Sequence, residues 1–144
     1  RTKGIIGVVV IVAALATFSF LRGGVAPRPA AFEGTRDLTA ALAASKESGK
    51  PVLAFVTADW CGPCQALKRG ALVDPKVEEA IKKGTEPVYV DATGENADAA
   101  TLGVTGMPVM VMLRPGDGKP REVSRLTGDA EPEHILDWLA SATK

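Results

Sequence analysis

The feature that most limits how this chain can fold is a pair of cysteines, Cys61 and Cys64, between a strand-like run and a helix-like run. The apolar residues 51–57 (PVLAFVT) are typical of a buried strand, whereas residues 61–69 lack strand-forming side chains and favour a helix. Residues three apart in a helical turn lie about 5–6 Å from each other, close to the Cα separation of a disulfide. The pair is therefore predicted to form and break a disulfide with little rearrangement.

The predicted helix gives the two sulfur atoms different roles. Cys61 lies at the helix N-terminus, where unpaired backbone N–H groups and the helix dipole stabilise a thiolate. Cys64 lies one turn further in and is expected to be less exposed. We therefore predict that Cys61 is the nucleophile that attacks a partner's disulfide, and that Cys64 is the resolving thiol.

Other uses of the cysteine pair are less favoured. A structural disulfide that closes so short a loop would restrict the unfolded chain little. Haem attachment requires a histidine after the second cysteine, and Gln65 stands there. With two cysteines and one histidine, a single chain cannot supply the four Cys or His ligands of a structural zinc site, although a metal shared between chains stays open. No metal and no cofactor are expected.

The rest of the chain is predicted to alternate helices and strands. Helices are expected over residues 35–48, 61–69, 74–84 and 132–142, and strands over residues 51–57, 87–91, 108–113 and 122–127. Strands joined through helices pair in parallel, whereas the short turn at 115–118 implies an antiparallel pair. The predicted fold class is therefore α/β, with a mixed central sheet flanked by helices.

The N-terminal residues have a different character. Gly4–Leu21 runs for 18 positions without a charge. At about 1.5 Å per residue this is roughly 27 Å of helix, close to the bilayer core of about 30 Å. A membrane span is favoured over a cleaved secretion signal, whose apolar region is about 7–15 residues long. Residues 22–31, rich in Gly and Pro, are expected to be a linker, and residues 32–144 one domain.

Charge and length exclude several classes of function. The 17 Lys and Arg residues balance the 17 Asp and Glu residues, so the chain lacks the basic surface expected of a nucleic-acid-binding protein. A length of 144 residues excludes a two-domain enzyme. Basic residues flank the apolar run on both sides, so their count gives no membrane orientation.

Two motifs resemble the thioredoxin superfamily: residues 60–64 (WCGPC) and residues 103–108 (GVTGMP). The first has the thioredoxin active-site sequence, and the second is similar to the loop that carries a cis-proline in that family. The resemblance covers residues 35–144 and implies a thioredoxin fold. It also implies that the residues around the cysteines contact the substrate, namely Trp60, Gly62, Pro63, Met107 and Pro108.

Further segments look more like the C-terminal thioredoxin-like domain of the membrane thiol:disulfide interchange reductases, namely residues 58–61, 74–77, 91–93 and 125–128. This resemblance implies a single-pass protein of the bacterial inner membrane whose domain faces the periplasm or the cell exterior. It implies disulfide-containing proteins as partners and an upstream membrane electron donor. The alternatives are a docking module without redox turnover, or an oxidase or isomerase.

Two positions depart from these families. Phe55 stands where the relatives carry a buried acid six residues before the first cysteine, and Lys68 replaces an acid four residues beyond Cys64. Lys68 falls on the same helix face as both cysteines, which suggests that it tunes the pKa of Cys61 by holding the thiolate. An exposed, solvated lysine is the favoured alternative. His134 is expected to face solvent.

Overall fold

The computed structural model describes residues 1–21 and 23–144, without the side chains of residues 3, 16 and 18–21. Arg22, the first residue of the expected linker, lies outside the described residues. The helices are α1 (Thr2–Leu21), α2 (Leu38–Ser48), α3 (Gly62–Arg69), α4 (Pro75–Gly84), α5 (Ala97–Thr101) and α6 (Pro132–Ala142). The strands are β1 (Val52–Thr57), β2 (Glu86–Asp91), β3 (Val109–Arg114) and β4 (Arg121–Thr127). Short 3-10 helices lie at Ala30–Phe32 and Ala71–Val73.

The four strands form one mixed sheet in the order β2-β1-β3-β4. β1 pairs in parallel with β2, while β3 pairs antiparallel with both β1 and β4. This confirms the predicted mixed sheet, and the turn at 115–118 joins an antiparallel pair as expected. All six residues of β1 are buried because the strand is central and covered on both faces, which explains why the first five of them are apolar.

Helices cover both faces of the sheet and form two apolar clusters. On one face Phe55 and Met110 pack with side chains of α3, α4 and α6, and on the other Val56 and Val111 pack with α2 and α5. The alternation of neighbouring strand residues between these clusters follows from the two-residue period of a strand. The fold thereby places α3, which begins beside the cysteines, directly against the sheet.

Polar caps set where the helices begin. Asp74 Oδ1 accepts hydrogen bonds from the backbone nitrogens of Lys76 and Val77 at 2.9 and 3.2 Å, which confirms the predicted start of α4. Asp37 is extended and caps α2, so this helix begins three residues later than predicted. α5 was not predicted, because its five residues are too few to show a helical period; Asn96 caps it.

α1 covers the uncharged N-terminal run. Its described large apolar side chains are 59–65% exposed, namely Ile5, Ile6, Val8, Val9, Val10, Ile11, Val12 and Leu15. Within residues 1–21 and 23–144, no helix has both the length and the apolar composition required to cross a bilayer. The expected membrane span therefore stays a prediction.

Buried side chains occur within residues 23–31, most of the expected linker, and at Phe32, the first residue of the expected domain. Ala26 and Ala31 are each 3% exposed, and Phe32 is completely buried. The Phe32 ring lies 5.4 Å from the Phe55 ring, measured between centroids. The composition of this segment resembles that of a linker, but its small and aromatic side chains bury apolar surface, and such burial favours a docked segment.

Candidate active site

The two cysteines are joined in a disulfide at the N-terminus of α3. The sulfurs are 2.14 Å apart and the Cα atoms 5.2 Å apart, within the separation predicted from the helical spacing. Cys61 is the N-cap residue, and its sulfur accepts a hydrogen bond from the backbone N–H of Cys64 at 3.2 Å. Cys61 is 6% exposed and Cys64 is completely buried. A visiting thiol or disulfide would therefore meet Cys61 first.

The local sequence explains why the pair lies at this junction. β1 ends at Thr57, and the backbone N–H of Cys61 bonds back to the carbonyl oxygen of Ala58 at 3.2 Å, which turns the chain into α3. Pro63 lies in the first helical turn, where its missing N–H leaves no partner unsatisfied. Gly62 and Pro63 are both exposed, so the backbone beside the disulfide is open to a partner.

Trp60 lies in front of the cysteines and is 68% exposed. Its indole Nε1 donates to the carbonyl oxygen of Thr93 at 3.3 Å, and the backbone N–H of Asp59 donates to Thr93 Oγ1 at 2.9 Å. Thr93 in turn donates to Asp91 through its hydroxyl, at 2.6 Å. Residues 91–93, singled out in the sequence, thus hold the Trp60 loop, while the ring of Trp60 stays available for contact.

The second sequence motif also lies at the cysteines. The Met107–Pro108 peptide bond is cis, as the resemblance implied. Met107 packs against the cluster of Ala58, Cys61 and Cys64, and Pro108 is buried. The backbone N–H of Gly128 donates to the carbonyl oxygen of Pro108 at 2.8 Å, so residues 125–128 help to hold this loop. All five residues expected to contact substrate lie in the segments that flank the disulfide.

Gln65 is a residue of the site that sequence reasoning missed. Its Nε2 donates to the carbonyl oxygens of Ala58 and Asp59 at 3.0 and 3.3 Å, and its Oε1 accepts from the backbone N–H of Ala26 at 2.6 Å. The side chain therefore ties the loop before Cys61 to the docked N-terminal segment. No sequence signal pointed to this role, because Ala26 is 39 positions away along the chain.

Lys68 is buried, being 2% exposed, so the interpretation as an exposed lysine was wrong. It lies on the face of α3 that packs against the sheet, and its Nζ is 3.3 Å from the phenol oxygen of Tyr89. Burial lowers the pKa of Lys68, and the nearby Asp59 and Asp91 carboxylates oppose that effect. The predicted tuning of Cys61 by this lysine is not tested by these contacts.

The surroundings of Lys68 are otherwise apolar or weakly polar. Phe55 stands where the relatives carry an acid, and the centroid of its ring lies 5.8 Å from that of Tyr89. Burial raises the pKa of Tyr89, whereas hydrogen bonds from Thr93 lower the pKa of Asp91.

His134 lies exposed on α6, as expected. Within the described part of the chain, no group of three or more His, Cys, Asp or Glu side chains could hold a metal ion.

The fold and the cysteine geometry together define the class of this protein. A family model described as thioredoxin-like matches residues 33–115, more than half of the chain. A thioredoxin of Mycolicibacterium smegmatis is 34% identical over 100 residues, which cover 66% of this chain and 80% of that protein. The chain belongs to the thioredoxin-like family.

Other similar proteins are longer. The thiol:disulfide interchange protein DsbD of Klebsiella pneumoniae is 33% identical over 112 residues, which cover 72% of this chain. The DsbD 1 protein of Pseudomonas aeruginosa is 30% identical over 113 residues. The matched part is only 18% of the length of each of these two relatives.

Solved structures show the same likeness. The oxidised C-terminal domain of Neisseria meningitidis DsbD superposes with a TM-score of 0.59 at 28% identity, covering 72% of this chain and 90% of that domain. A Thermus thermophilus thioredoxin superposes with a TM-score of 0.63 at 26% identity, covering 72% and 82%. The protein thus has a thioredoxin-like fold with a Cys61–Cys64 disulfide at the start of α3.

Proposed function

We propose that this protein is a membrane-anchored oxidoreductase that reduces the disulfides of extracytoplasmic partner proteins. The observation that carries the proposal is the bonded cysteine pair at the N-terminus of α3, in which Cys61 is 6% exposed and Cys64 is completely buried. Trp60, Gly62 and Pro63, which flank Cys61 in the sequence, are all exposed. This arrangement supports attack on a disulfide of another protein and does not require a bound cofactor.

The reaction transfers two electrons from the reduced pair to the partner. The Cys61 thiolate attacks one sulfur of the partner's disulfide, a mixed disulfide forms, and the partner's second sulfur leaves as a thiolate that takes a proton from water. Cys64 then loses its proton and attacks the Cys61 sulfur. The Cys61–Cys64 bond forms, and the partner's first sulfur leaves as the second thiolate.

The loop at Met107 is the expected docking place for the partner's backbone. Met107 packs against the cysteine cluster and is half-buried, so part of this residue remains accessible beside the sulfurs. An extended segment of the partner can pair with backbone groups here, as in other cases where a peptide adds to an exposed edge. Trp60 would supply apolar contact on the other side of the sulfurs.

The reducing direction is supported by the residues between the cysteines. Gly62 and Pro63 give the same dipeptide as thioredoxin, whose potential of about −270 mV lies at the reducing end of the known series. The relatives named thiol:disulfide interchange proteins support disulfide-containing proteins as partners. Continued reduction outside the cytoplasm would require an upstream membrane electron donor to return electrons to the pair.

The membrane anchor is supported by the N-terminal run. Gly4–Leu21 carries no charge, and α1 exposes its described large apolar side chains to its surroundings. Such a surface is stabilised in lipid rather than in water. We place the protein in a bacterial inner membrane, with the thioredoxin-like domain on the periplasmic or outer side, by the resemblance to the interchange reductases.

The anchor is tested in the expressed full chain. The protein should stay with the membrane fraction after alkaline extraction, and protease added to spheroplasts should digest the domain. A Val9→Lys/Val12→Lys variant, which charges the middle of the run, should move to the soluble fraction. Release of the unmodified protein by alkaline extraction would contradict the anchor, and a protected domain would contradict the orientation.

The redox activity is tested by reduction of insulin with dithiothreitol as the electron source. The wild-type protein should accelerate the reaction, and the Cys61→Ser/Cys64→Ser variant should match the uncatalysed rate. Equal rates for the two proteins would instead indicate a docking module. A measured potential above about −150 mV would favour an oxidase or isomerase over a reductase.

A further inference from the structure

Lys68 is an unusual residue to find buried beneath a redox site. A charged ammonium is rarely buried without a partner, because removing it from water is costly. The Lys68 Nζ donates to Tyr89 Oη at 3.3 Å, and it belongs to none of the ion pairs in the described part of the chain. This single hydrogen bond to a neutral phenol compensates the burial only partly. A buried, poorly compensated ionisable group of this kind often marks a functional position.

The position of Lys68 in the fold relates it to Cys64 more directly than to Cys61. Cys64 and Lys68 are four residues apart in α3, and both side chains are buried on the same helix face. Residues at this spacing are neighbours along a helix, with Cβ atoms about 5–6 Å apart. Cys61 lies seven residues before Lys68, at the N-cap, where the free backbone N–H groups already favour its thiolate.

The sheet supplies the other wall of this buried site. Tyr89 is the β2 partner of Phe55 in the parallel pairing of β1 and β2, so the two rings lie side by side on the face toward α3. Thr57 continues that face, and its buried Oγ1 has no hydrogen-bond partner in the described part of the chain. Burial raises the pKa of Tyr89, and the nearby Thr57 opposes part of that rise.

Three charged side chains from neighbouring segments act on the pKa of Lys68. Asp59 in the loop after β1 and Asp91 at the end of β2 raise its pKa, and Arg69 on α3 lowers it. The Arg28 guanidinium of the docked N-terminal segment lies 4.4 Å from the centroid of the Tyr89 ring. These groups lie at or near the surface, whereas Lys68 is the ionisable group buried on the same face as Cys64.

We propose that Lys68, held by Tyr89, is the positioning residue that stabilises the Cys64 thiolate during the resolving step. The inference rests on the proposed redox function and refines the expectation that the lysine acts on Cys61. A positive charge one helical turn from the buried sulfur favours the thiolate over the thiol, because opposite charges attract strongly where water is scarce. Lys68 acts through Cys64 and makes no bond to the partner.

The step balances without a further reactant. The Cys64 thiol releases its proton to solvent, and the thiolate, stabilised by the Lys68 ammonium, attacks Cys61 in the mixed disulfide. One sulfur–sulfur bond forms between the cysteines, and the bond between Cys61 and the partner breaks. The partner's sulfur leaves with the electron pair. In this chain, where Phe55 occupies the strand position beside Tyr89, Lys68 supplies the charge that lowers the barrier to this proton loss.

The test separates the two sulfur steps with an aromatic disulfide, 5,5′-dithiobis(2-nitrobenzoate), as the partner. The reduced protein releases one coloured thiolate when Cys61 attacks and a second when Cys64 resolves, so stopped-flow absorbance gives both rates. The variants are Lys68→Met, Lys68→Arg and Tyr89→Phe. Lys76→Met is the matched control, because Lys76 is an exposed lysine of α4 outside the site.

In Lys68→Met the second release should slow about tenfold at neutral pH, and the midpoint of its pH profile should rise by about one unit. The first release should change much less. Lys68→Arg should recover most of the rate because it keeps the charge, and Tyr89→Phe should show a smaller shift in the same direction. A second-release rate and pH midpoint in Lys68→Met equal to those of Lys76→Met would overturn the proposal.

A direct titration separates a specific effect from misfolding and from failure of the wider function. In a Cys61→Ser background Cys64 is the remaining thiol, and its pKa is measured from the ultraviolet absorbance of the thiolate. Adding Lys68→Met should raise this pKa. If insulin is reduced normally while this pKa stays unchanged, the role of Lys68 fails but the oxidoreductase function stands. If the wild-type protein does not reduce insulin, the wider function fails, whatever the value of this pKa.

Discussion

The two sides of the disulfide differ sharply in their surroundings. On the Cys61 side lie exposed groups, namely Trp60 at 68% exposure and the open backbone of Gly62 and Pro63. On the Cys64 side the surroundings are buried, and the polar side chains include Lys68, its partner Tyr89 and Thr57. The comparison teaches that one helix terminus gives its two sulfurs different surroundings, with exposed side chains beside Cys61 and buried ones beside Cys64.

The largest effect should come from exchanging the cysteines one at a time. Cys61→Ser should lose insulin reduction by on the order of a thousandfold or more, because the remaining thiol, Cys64, is buried. Cys64→Ser should instead accumulate mixed disulfides with client proteins, since Cys61 can attack but the bond is not resolved. The rate of insulin reduction in vitro measures the first effect, and non-reducing electrophoresis after acid quenching in the native host shows the second. Mixed disulfides trapped by Cys61→Ser but not by Cys64→Ser would reverse the assigned roles.

The hydrogen bonds of Gln65 tie the loop before Cys61 to the docked N-terminal segment, and removing them should loosen the site. Gln65→Ala deletes three hydrogen bonds and leaves the buried backbone N–H of Ala26 unpaired, so the free energy of unfolding should fall by about 2 kcal/mol. Denaturant titration of the oxidised protein measures this loss. The control is Glu79→Ala, at an exposed position of α4, where the change should be small. An equal loss of unfolding free energy in both variants would show that the hydrogen bonds of Gln65 do not stabilise the site.

The next prediction concerns Trp60, the exposed aromatic residue on the Cys61 side. Trp60→Ala should lower kcat/KM for insulin about tenfold, because apolar contact with the partner is lost while the sulfurs stay in place. The redox potential should remain that of the wild-type protein. Val73→Ala, at a residue 53% exposed beyond the end of α3, serves as the control. An unchanged kcat/KM in Trp60→Ala would remove Trp60 from the recognition surface.

On the Cys64 side, removing the charge of the buried Lys68 should stabilise the protein. Lys68→Met should raise the free energy of unfolding by on the order of 1 kcal/mol at neutral pH, because the buried ammonium is replaced by an apolar side chain of similar length. The same variant should resolve mixed disulfides more slowly, so stability and rate would move in opposite directions. Denaturant titration beside Lys76→Met checks the gain, and a loss of stability would contradict it.

The pH dependence of that gain follows from the lowered pKa of Lys68. Between the lowered pKa and the ordinary value of 10.5, the unfolded chain holds a proton that the folded protein has released. Wild-type stability should therefore rise with pH through this window, whereas Lys68→Met lacks the contribution. The difference between the two proteins should be largest below the window and should shrink as the pH rises through it. A constant difference would show that burial does not act on this charge.

Sequence reasoning predicted the sheet well because its signals are local. The apolar runs at 51–57 and 87–91 became β1 and β2 with bounds shifted by one residue, and the Asp74 cap began α4 as expected. α5 was missed because five residues carry no period. The docking of residues 23–32 was missed because a segment rich in Gly and Pro looks the same in sequence whether it is free or packed.

In the candidate site, too, local features were predictable from the sequence and long-range contacts were not. The cysteine pair and the cis-proline loop were predictable because each is a contiguous motif whose residue types have few other uses. The burial of Lys68 was not predictable. A lysine is expected to be exposed from its residue type alone, and Tyr89, which it contacts, is 21 positions away along the chain. The role of Gln65 was missed because the backbone groups that it binds come from two separate segments.

The order of amino acids by itself determined that this chain carries a redox dithiol at a strand–helix junction, because spacing along a helix brings two sulfurs together whatever surrounds them. It also determined the uncharged N-terminal run. Only the tertiary structure decided which ionisable group lies beneath the sulfurs and which segment packs against α3. Burial and long-range hydrogen bonds depend on elements that meet in space, and their partners are distant along the chain.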